Sequence, residues 1–166
     1  MFMEFHNIDP VYSKHSQILI LGSFPSKKSR ESGFYYGHPQ NRFWKMMARI
    51  YVQDLPVSIS AKKKLIIDHD LALWDVIASC EISGSADSSI HDVRVNDVKD
   101  IIEKSQISRI ILNGRTAEKL YREYLEAACG ISGICLPSTS PANAAYSLDR
   151  LCDIWAEYLL YTNKEK

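Results

Sequence analysis

An excess of charge of either sign is missing from this chain: 20 Lys and Arg balance 20 Asp and Glu. Bulk electrostatics therefore gives no reason to expect a polyanionic partner, and any such face has to come from local clustering. Long apolar runs are missing too. None approaches the ~18 residues that a membrane span needs. The opening MFMEFHNIDP lacks a basic stretch followed by an apolar one, so it does not read as a secretion signal. A cytoplasmic protein is expected. Cysteine is sparse, at Cys80, Cys129, Cys135 and Cys152. No two form a C-x-x-C pair and none lies in a histidine-rich cluster, which speaks against a structural zinc site and a disulfide framework. Four reduced thiols are the expected state. Walker A, G-x-G-x-x-G, H-E-x-x-H and G-x-S-x-G patterns are all absent. Asp75, Asp87, Asp92 and Asp97 are scattered, and their spacing makes no metal site. No cofactor is implied.

What is present is the composition of a folded domain, 46% hydrophobic and 24% charged. No repeat, low-complexity tract or linker divides the chain. A single domain over 1–166 is expected, and a monomer. Strand and helix patterns alternate. Gln17 to Leu21 is an apolar run closed by Gly22, which predicts a buried strand. Ser23 to Gly37 reads as a long polar connection, and such connections usually serve function. Pro39 is expected to open a helix that buries Phe43, Met47, Ile50 and Tyr51. Ser60 to Asp68 predicts a short helix and Leu71 to Val76 a second strand. Asn96 is the expected cap of a helix to about Lys104, followed by a strand at Arg109 to Leu112. The next helix carries Ala117, Leu120, Tyr121, Tyr124, Leu125 and Ala128 on one stripe and stops at Gly130. Gly133 to Leu136 predicts a fourth strand, and Ser147 caps a last helix burying Leu151, Ile154, Trp155, Tyr158 and Leu159. The expected fold is α/β, a three-layer sandwich with a central, mainly parallel four-stranded sheet flanked by helices. Ligands of such sheets sit beyond the carboxyl ends of the strands.

Three strand ends are chemically unusual: Gly22-Ser23-Phe24-Pro25, Asn113-Gly114, and the run Pro137 to Pro141. Between Lys27 and Arg49, six basic residues (Lys27, Lys28, Arg30, Arg42, Lys45, Arg49) stand against Glu31 alone, interleaved with Phe34, Tyr35, Tyr36 and Trp44. That mixture suits a surface that neutralises phosphates and stacks on bases. It equally suits a solvated helix face beside core aromatics. The loop Leu136 to Ser147 offers hydroxyls and backbone N–H groups for phosphate oxygens, or it is simply a polar turn. Asn113 has an amide able to read a base edge, or it makes the turn before Gly114. His38 can be a cap or a catalytic group.

Taken together these segments resemble the uracil-DNA glycosylase superfamily. The G-x-x-P turn at Gly22 to Pro25 and the segment YYGHPQNRFW, Tyr35 to Trp44, are similar to the first-strand turn and the F-x-H-P-x-N-R-F-W segment of the mismatch-specific uracil and thymine glycosylases. Pro137-Ser138 falls where the superfamily keeps its second active-site motif. GSFPS and LWDVIASCEISGSADSSI look most like the hypoxanthine-DNA (deoxyinosine) glycosylase branch. Phe24 stands where the mismatch-specific enzymes place a water-positioning asparagine, so that route is closed to this chain. The resemblance implies a monofunctional, metal-independent enzyme that flips a deaminated base from damaged DNA, double- or single-stranded, and hydrolyses its N-glycosidic bond. It implies Asn41 as the catalytic polar group. Ser23, Phe24, Tyr36 and Asn113 would hold the base, with Tyr36 stacking. Ser138, Ser140, Asn143 and Arg42 would contact DNA. Rival readings are a uracil/thymine mismatch enzyme, a non-catalytic lesion binder, and a hydrolase of free nucleosides.

Overall fold

The computed structural model describes residues 2–82 and 90–160. Four strands form the expected parallel sheet: β2 (Ile18–Gly22), β3 (Leu71–Asp75), β6 (Arg109–Asn113) and β7 (Gly133–Leu136), in the order β3-β2-β6-β7. All three pairings are parallel. The unbroken apolar run ILIL follows from burial on both faces. Successive side chains point to opposite faces of a strand, and each face has its own core. Ile18 and Ile20 of β2 pack with Phe43, Met46, Met47, Leu151 and Trp155, under helices α2 (Phe43–Ile50), α3 (Ile59–Asp68) and α7 (Leu148–Leu160). Leu19 and Leu21 pack with Val98, Ile101, Ala117, Leu120 and Tyr121, under α4 (Val98–Glu103) and α5 (Arg115–Tyr124). The three-layer architecture is therefore as expected.

A second sheet was not expected. It is antiparallel, ordered β1-β4-β5, from β1 (Phe2–Phe5), β4 (Ile77–Ile82) and β5 (Ile90–Val95). Its strands carry weak signals. β4 mixes small and polar residues (IASCEI), and its pairing with β5 is irregular. Part of the LWDVIASCEISGSADSSI segment, including Asp87, lies outside the described residues.

Boundaries shifted where side chains compete with the backbone. The Ser23 to Gly37 connection contains a helix, α1 (Lys27–Ser32). Its Ser26 hydroxyl accepts from Ser29 N–H, and Gly33 ends it at φ 81°. Pro39 does not open α2. His38 Nδ1 accepts from Gln40 N–H at 3.0 Å and Asn41 Oδ1 accepts from Phe43 N–H at 2.9 Å, so a turn precedes the helix. Of the four core positions assigned to that helix, Phe43 and Met47 are buried, whereas Ile50 and Tyr51 are only half-buried. Asp97, not Asn96, caps α4; the Asn96 amide donates to the carbonyls of Asp75 and Ile77 instead. The helix after β6 breaks at Leu125 and resumes as α6 (Glu126–Cys129), which turns Tyr124 and Ala128 to solvent. Ser147 does sit at the start of α7, its hydroxyl accepting from Arg150 N–H at 3.1 Å. No disulfide joins the four cysteines, and no described helix is long and apolar enough to cross a membrane.

Ile20 is fully buried at the centre of the sheet, whereas Val52 is 90% exposed. Ile20→Ala is expected to lower unfolding free energy by about 2–5 kcal/mol. Val52→Ala should stay within about 0.5 kcal/mol of the parent. Urea denaturation of both checks this; equal effects would mean the sheet is not the core.

Candidate active site

The carboxyl ends of all four parallel strands open into one cleft of about 1530 Å³. Gly22 of β2, Asp75 of β3, Asn113 of β6 and Leu136 of β7 line it, together with α1 and the 137–146 loop. The three unusual strand ends thus meet, as the parallel topology requires. Ser23, Phe24, Tyr36, Asn41, Asn113, Ser138, Ser140 and Asn143 all face this space.

The 137–146 loop is a folded object. Asn113 Oδ1 accepts from Thr139 N–H at 3.0 Å, and Asn113 Nδ2 donates to the Thr139 hydroxyl at 3.2 Å. The Ser138 hydroxyl accepts from Ser140 N–H at 3.1 Å, the Ser140 hydroxyl accepts from Ala142 N–H at 3.2 Å, and the Asn143 amide donates to the Ser138 carbonyl at 3.0 Å. Trp155 of α7 donates to the Pro137 carbonyl at 2.9 Å. Gly114 passes beneath the loop at φ 97°, and a Cβ there would lie 2.9 Å from Ser138 Cβ. Only glycine tolerates both conditions.

Arg42 differs from expectation. Its guanidinium turns inward and donates to the carbonyls of Ser140 (2.9 Å), Asn143 (3.1 Å) and Tyr146, while its own N–H donates to Thr139. Through these terminal donors it holds the loop, while its buried Nε has no partner. The aromatics of the basic-aromatic segment also split. Phe34, Tyr35 and Trp44 are core residues, packed edge-on or stacked on one another. Arg30 pairs with Glu4 at 2.6 Å and lies over the Phe24 ring. Lys27 and Lys28 remain exposed on α1. His38 is a turn cap and does not line the cleft.

Of that segment's aromatics Tyr35 and Tyr36 line the cleft, and Tyr36 is the less buried. One face stacks on Phe43, with ring centroids 4.1 Å apart, and its backbone is left-handed at φ 56°. Its hydroxyl is buried and makes no hydrogen bond of good geometry. Burial, then the Asp75 carboxylate, pushes this phenol well above its ordinary range, with the Asn113 amide pulling slightly the other way. Asp75 itself was missed among scattered aspartates. It ends a strand as Asn113 does, and that position was the available signal. It is 3% exposed and receives His6 Nε2 at 2.9 Å. Among the described residues no trio of metal-capable side chains lies in the cleft; Glu81, His91 and Asp92 form one on the β4–β5 hairpin.

Arg42→Gln removes a charge and the loop's clamp. Amide exchange over 138–146 should accelerate and DNA affinity should fall, with the slope of log K against log salt unchanged. A slope smaller by about one would put Arg42 on a phosphate after all.

Comparison with known proteins places nearly the whole chain in one family. The profile of the Uracil DNA glycosylase superfamily matches residues 10–159. A hypoxanthine DNA glycosylase of Methanosarcina acetivorans is 35% identical over 144 residues, covering 84% of this chain and 89% of the relative. A hypoxanthine DNA glycosylase of Methanosarcina barkeri is 32% identical over 158 residues, covering 93% and 98%. The solution structure of a candidate uracil DNA glycosylase from Methanosarcina acetivorans superposes with a TM-score of 0.81 at 30% identity, covering 96% of this chain and all of that one. Family profile, relatives and fold coincide over nearly the whole chain, which therefore belongs to the uracil DNA glycosylase superfamily and is a DNA glycosylase, a hydrolase of N-glycosyl bonds.

Proposed function

We propose that the base this glycosylase excises is hypoxanthine, flipped from damaged DNA and released by water to leave an abasic site. The observation that carries the reading is the joint presence, in one cleft, of an aromatic ring backed on one face and an anchored asparagine amide. Two relatives are named for hypoxanthine, and Phe24 replaces the polar group that the mismatch-specific enzymes use on water.

Flipping costs a few kcal/mol, which the cleft must return as contacts to the extruded nucleotide. Phe43 supports one face of Tyr36; the other face stacks on the base. Phe24 shapes the pocket, and the backbone N–H groups of Ser23 and Phe24 receive the base oxygen. Asn113 is held at both ends of its amide by Thr139. An NH2 group has two protons, so one remains to read the base edge. Ser138 and Ser140 hydroxyls accept from backbone and keep their own protons for flanking phosphates. The Pro141 to Asn143 segment fills the space the base leaves.

Asn41 has a double role. Its Oδ1 fixes the start of α2, which aims Nδ2 at the scissile nucleotide or its water. Breaking the bond puts positive charge on the sugar and negative charge on the base, and only groups that favour that separation raise the rate.

Wild-type protein is expected to release hypoxanthine from duplex DNA, at a rate unchanged by EDTA. Oligonucleotides with hypoxanthine, xanthine, uracil and thymine mismatches rank the bases. Faster release of uracil would replace hypoxanthine as the substrate, and tight binding without abasic sites would favour a lesion binder. Long undamaged DNA should compete; no competition would favour a free nucleoside as substrate. Asn41→Asp keeps the cap oxygen but loses the amide. Single-turnover excision should fall ten-fold or more beyond any loss of affinity; a fall only in Asn41→Ala, tracking melting temperature, would leave Asn41 as a cap.

Tyr36→Leu should lose about 1–3 kcal/mol of binding to lesion DNA, the usual size of base–aromatic stacking. Tyr36→Phe should retain it, and undamaged duplex should bind both alike. Equal losses on both DNAs, with a lowered melting temperature, would return Tyr36 to the core.

A further inference from the structure

Two adjoining side chains have no part in the scheme above: Asp75, whose residue lines the cleft, and His6, which pairs with it. Asp75 closes β3, next to the strand end where Phe24 replaces a polar group. Its Oδ2 faces His6 Nε2 at 2.9 Å, and His6 Nδ1 faces the backbone N–H of Ile8 at 3.3 Å. A backbone N–H only donates, so Nδ1 accepts there and the ring proton sits on Nε2, directed at the carboxylate. Both side chains are buried, 3% exposed for His6 and 4% for Asp75. A strand that the sequence pattern did not disclose, β1, ends beside His6 and brings it there.

The other oxygen, Asp75 Oδ1, has no hydrogen-bond partner among the described residues and lies on the cleft side against Gly22. A Cβ on Gly22 would stand 2.4 Å from it and 3.4 Å from the Tyr36 hydroxyl. The bare glycine therefore leaves a carboxylate oxygen and a buried hydroxyl without a hydrogen bond of good geometry facing one small space. A carboxylate this little exposed, with a single side-chain donor, is costly to keep for packing alone. The charged and titratable groups around it are few. His6 comes from the residue after β1, Tyr35 and Tyr36 from the segment before α2, and the Arg30–Glu4 pair from the cleft wall.

We propose that Asp75 is the general base of the excision reaction and that His6 is its positioning residue. The inference rests on the assignment of this cleft as the glycosylase site, and it holds whichever base is preferred. Water, held between Asp75 Oδ1 and the Tyr36 hydroxyl, attacks C1′ of the deoxyribose. The C1′–N bond breaks and its electron pair leaves with the base. The water proton passes to Oδ1, a 1′-hydroxyl remains on the sugar, and the departing base anion takes up the proton, which returns Asp75 to its ionised form. Before attack, the same negative charge stabilises the cationic sugar. Phe24 cannot orient water, and the next strand end supplies the missing group.

The test is single-turnover excision against pH on the best lesion found for wild type, with Asp75→Asn, His6→Gln and His6→Ala. A positioned general base contributes about 10²–10⁴-fold, so Asp75→Asn should fall at least ~100-fold. Its affinity for lesion DNA should be equal or higher, because a negative charge is removed from a phosphate-binding cleft. The decline of rate at acid pH, present in wild type, should vanish. His6→Gln retains an N–H for Oδ2 and should keep most of the rate. In His6→Ala the carboxylate loses a donor that favours its charged form, so the acid limb should move to higher pH. Asp75→Asn with undiminished rate, or with reduced rate but an intact acid limb, would overturn the proposal. If Asp75→Asn melts too early to assay, the His6→Ala profile decides, and an unmoved limb overturns it. A wild type that cuts uracil but not hypoxanthine would refute the preferred base alone and leave this test standing.

Discussion

The clamp of Arg42 on three carbonyls of the 137–146 loop is the interaction on which the site depends. It joins the segment between Tyr36 and Trp44 to the end of the last strand, about a hundred residues away in sequence. Each hydrogen bond from a charged donor is worth ~1.5–3 kcal/mol, and the planar fork matches carbonyls that diverge around it. Without it, Ser138, Ser140 and Asn143 would be an open loop of polar residues. With it, the carbonyls of Ser140 and Asn143 are satisfied internally. The cost of ordering them is met on folding rather than on meeting DNA, which is how preorganised sites gain affinity.

A second constraint is the closeness of β2 and β3 at Gly22. Parallel pairing sets the two strand ends side by side, and the absence of a side chain lets a carboxylate stand over the backbone. The same glycine thus serves the fold and the chemistry. Phe24, two residues on, turns an apolar ring into the position where relatives of another branch keep an amide. The neighbouring strand ends beside it in a polar group, Asp75.

Much of this was readable in the residues. The four parallel strands and their flanking helices follow from apolar runs and helical stripes, because burial on two faces leaves an unmistakable pattern in β2 and β6. Three of the four strand ends that line the cleft were picked out by their odd chemistry. What stayed hidden depends on contacts across the chain. Nothing local tells that Arg42 faces inward, since an arginine in a basic segment is identical in sequence whether it meets a phosphate or a carbonyl. Phe34, Tyr35 and Trp44 were core residues in a pattern that equally suits a stacking surface. Asp75 looked like one aspartate among several, and His6 was read only as part of a chain start. The pair exists because an outer antiparallel sheet, weakly patterned in β1, β4 and β5, carries residue 6 to the end of β3.

That spread of contributors has a consequence for how the molecule reaches its working state. The cleft gathers residues from Glu4 to Tyr146, joined through parallel pairings that need long crossovers. Chains rich in such distant contacts close large loops before any pairing rewards them, and they fold slowly for their size. No early, contiguous fragment of this polypeptide contains Tyr36, Asp75 and the 137–146 loop together. The cleft is therefore complete only once α7, whose Trp155 donates to the Pro137 carbonyl, has docked beneath the last loop.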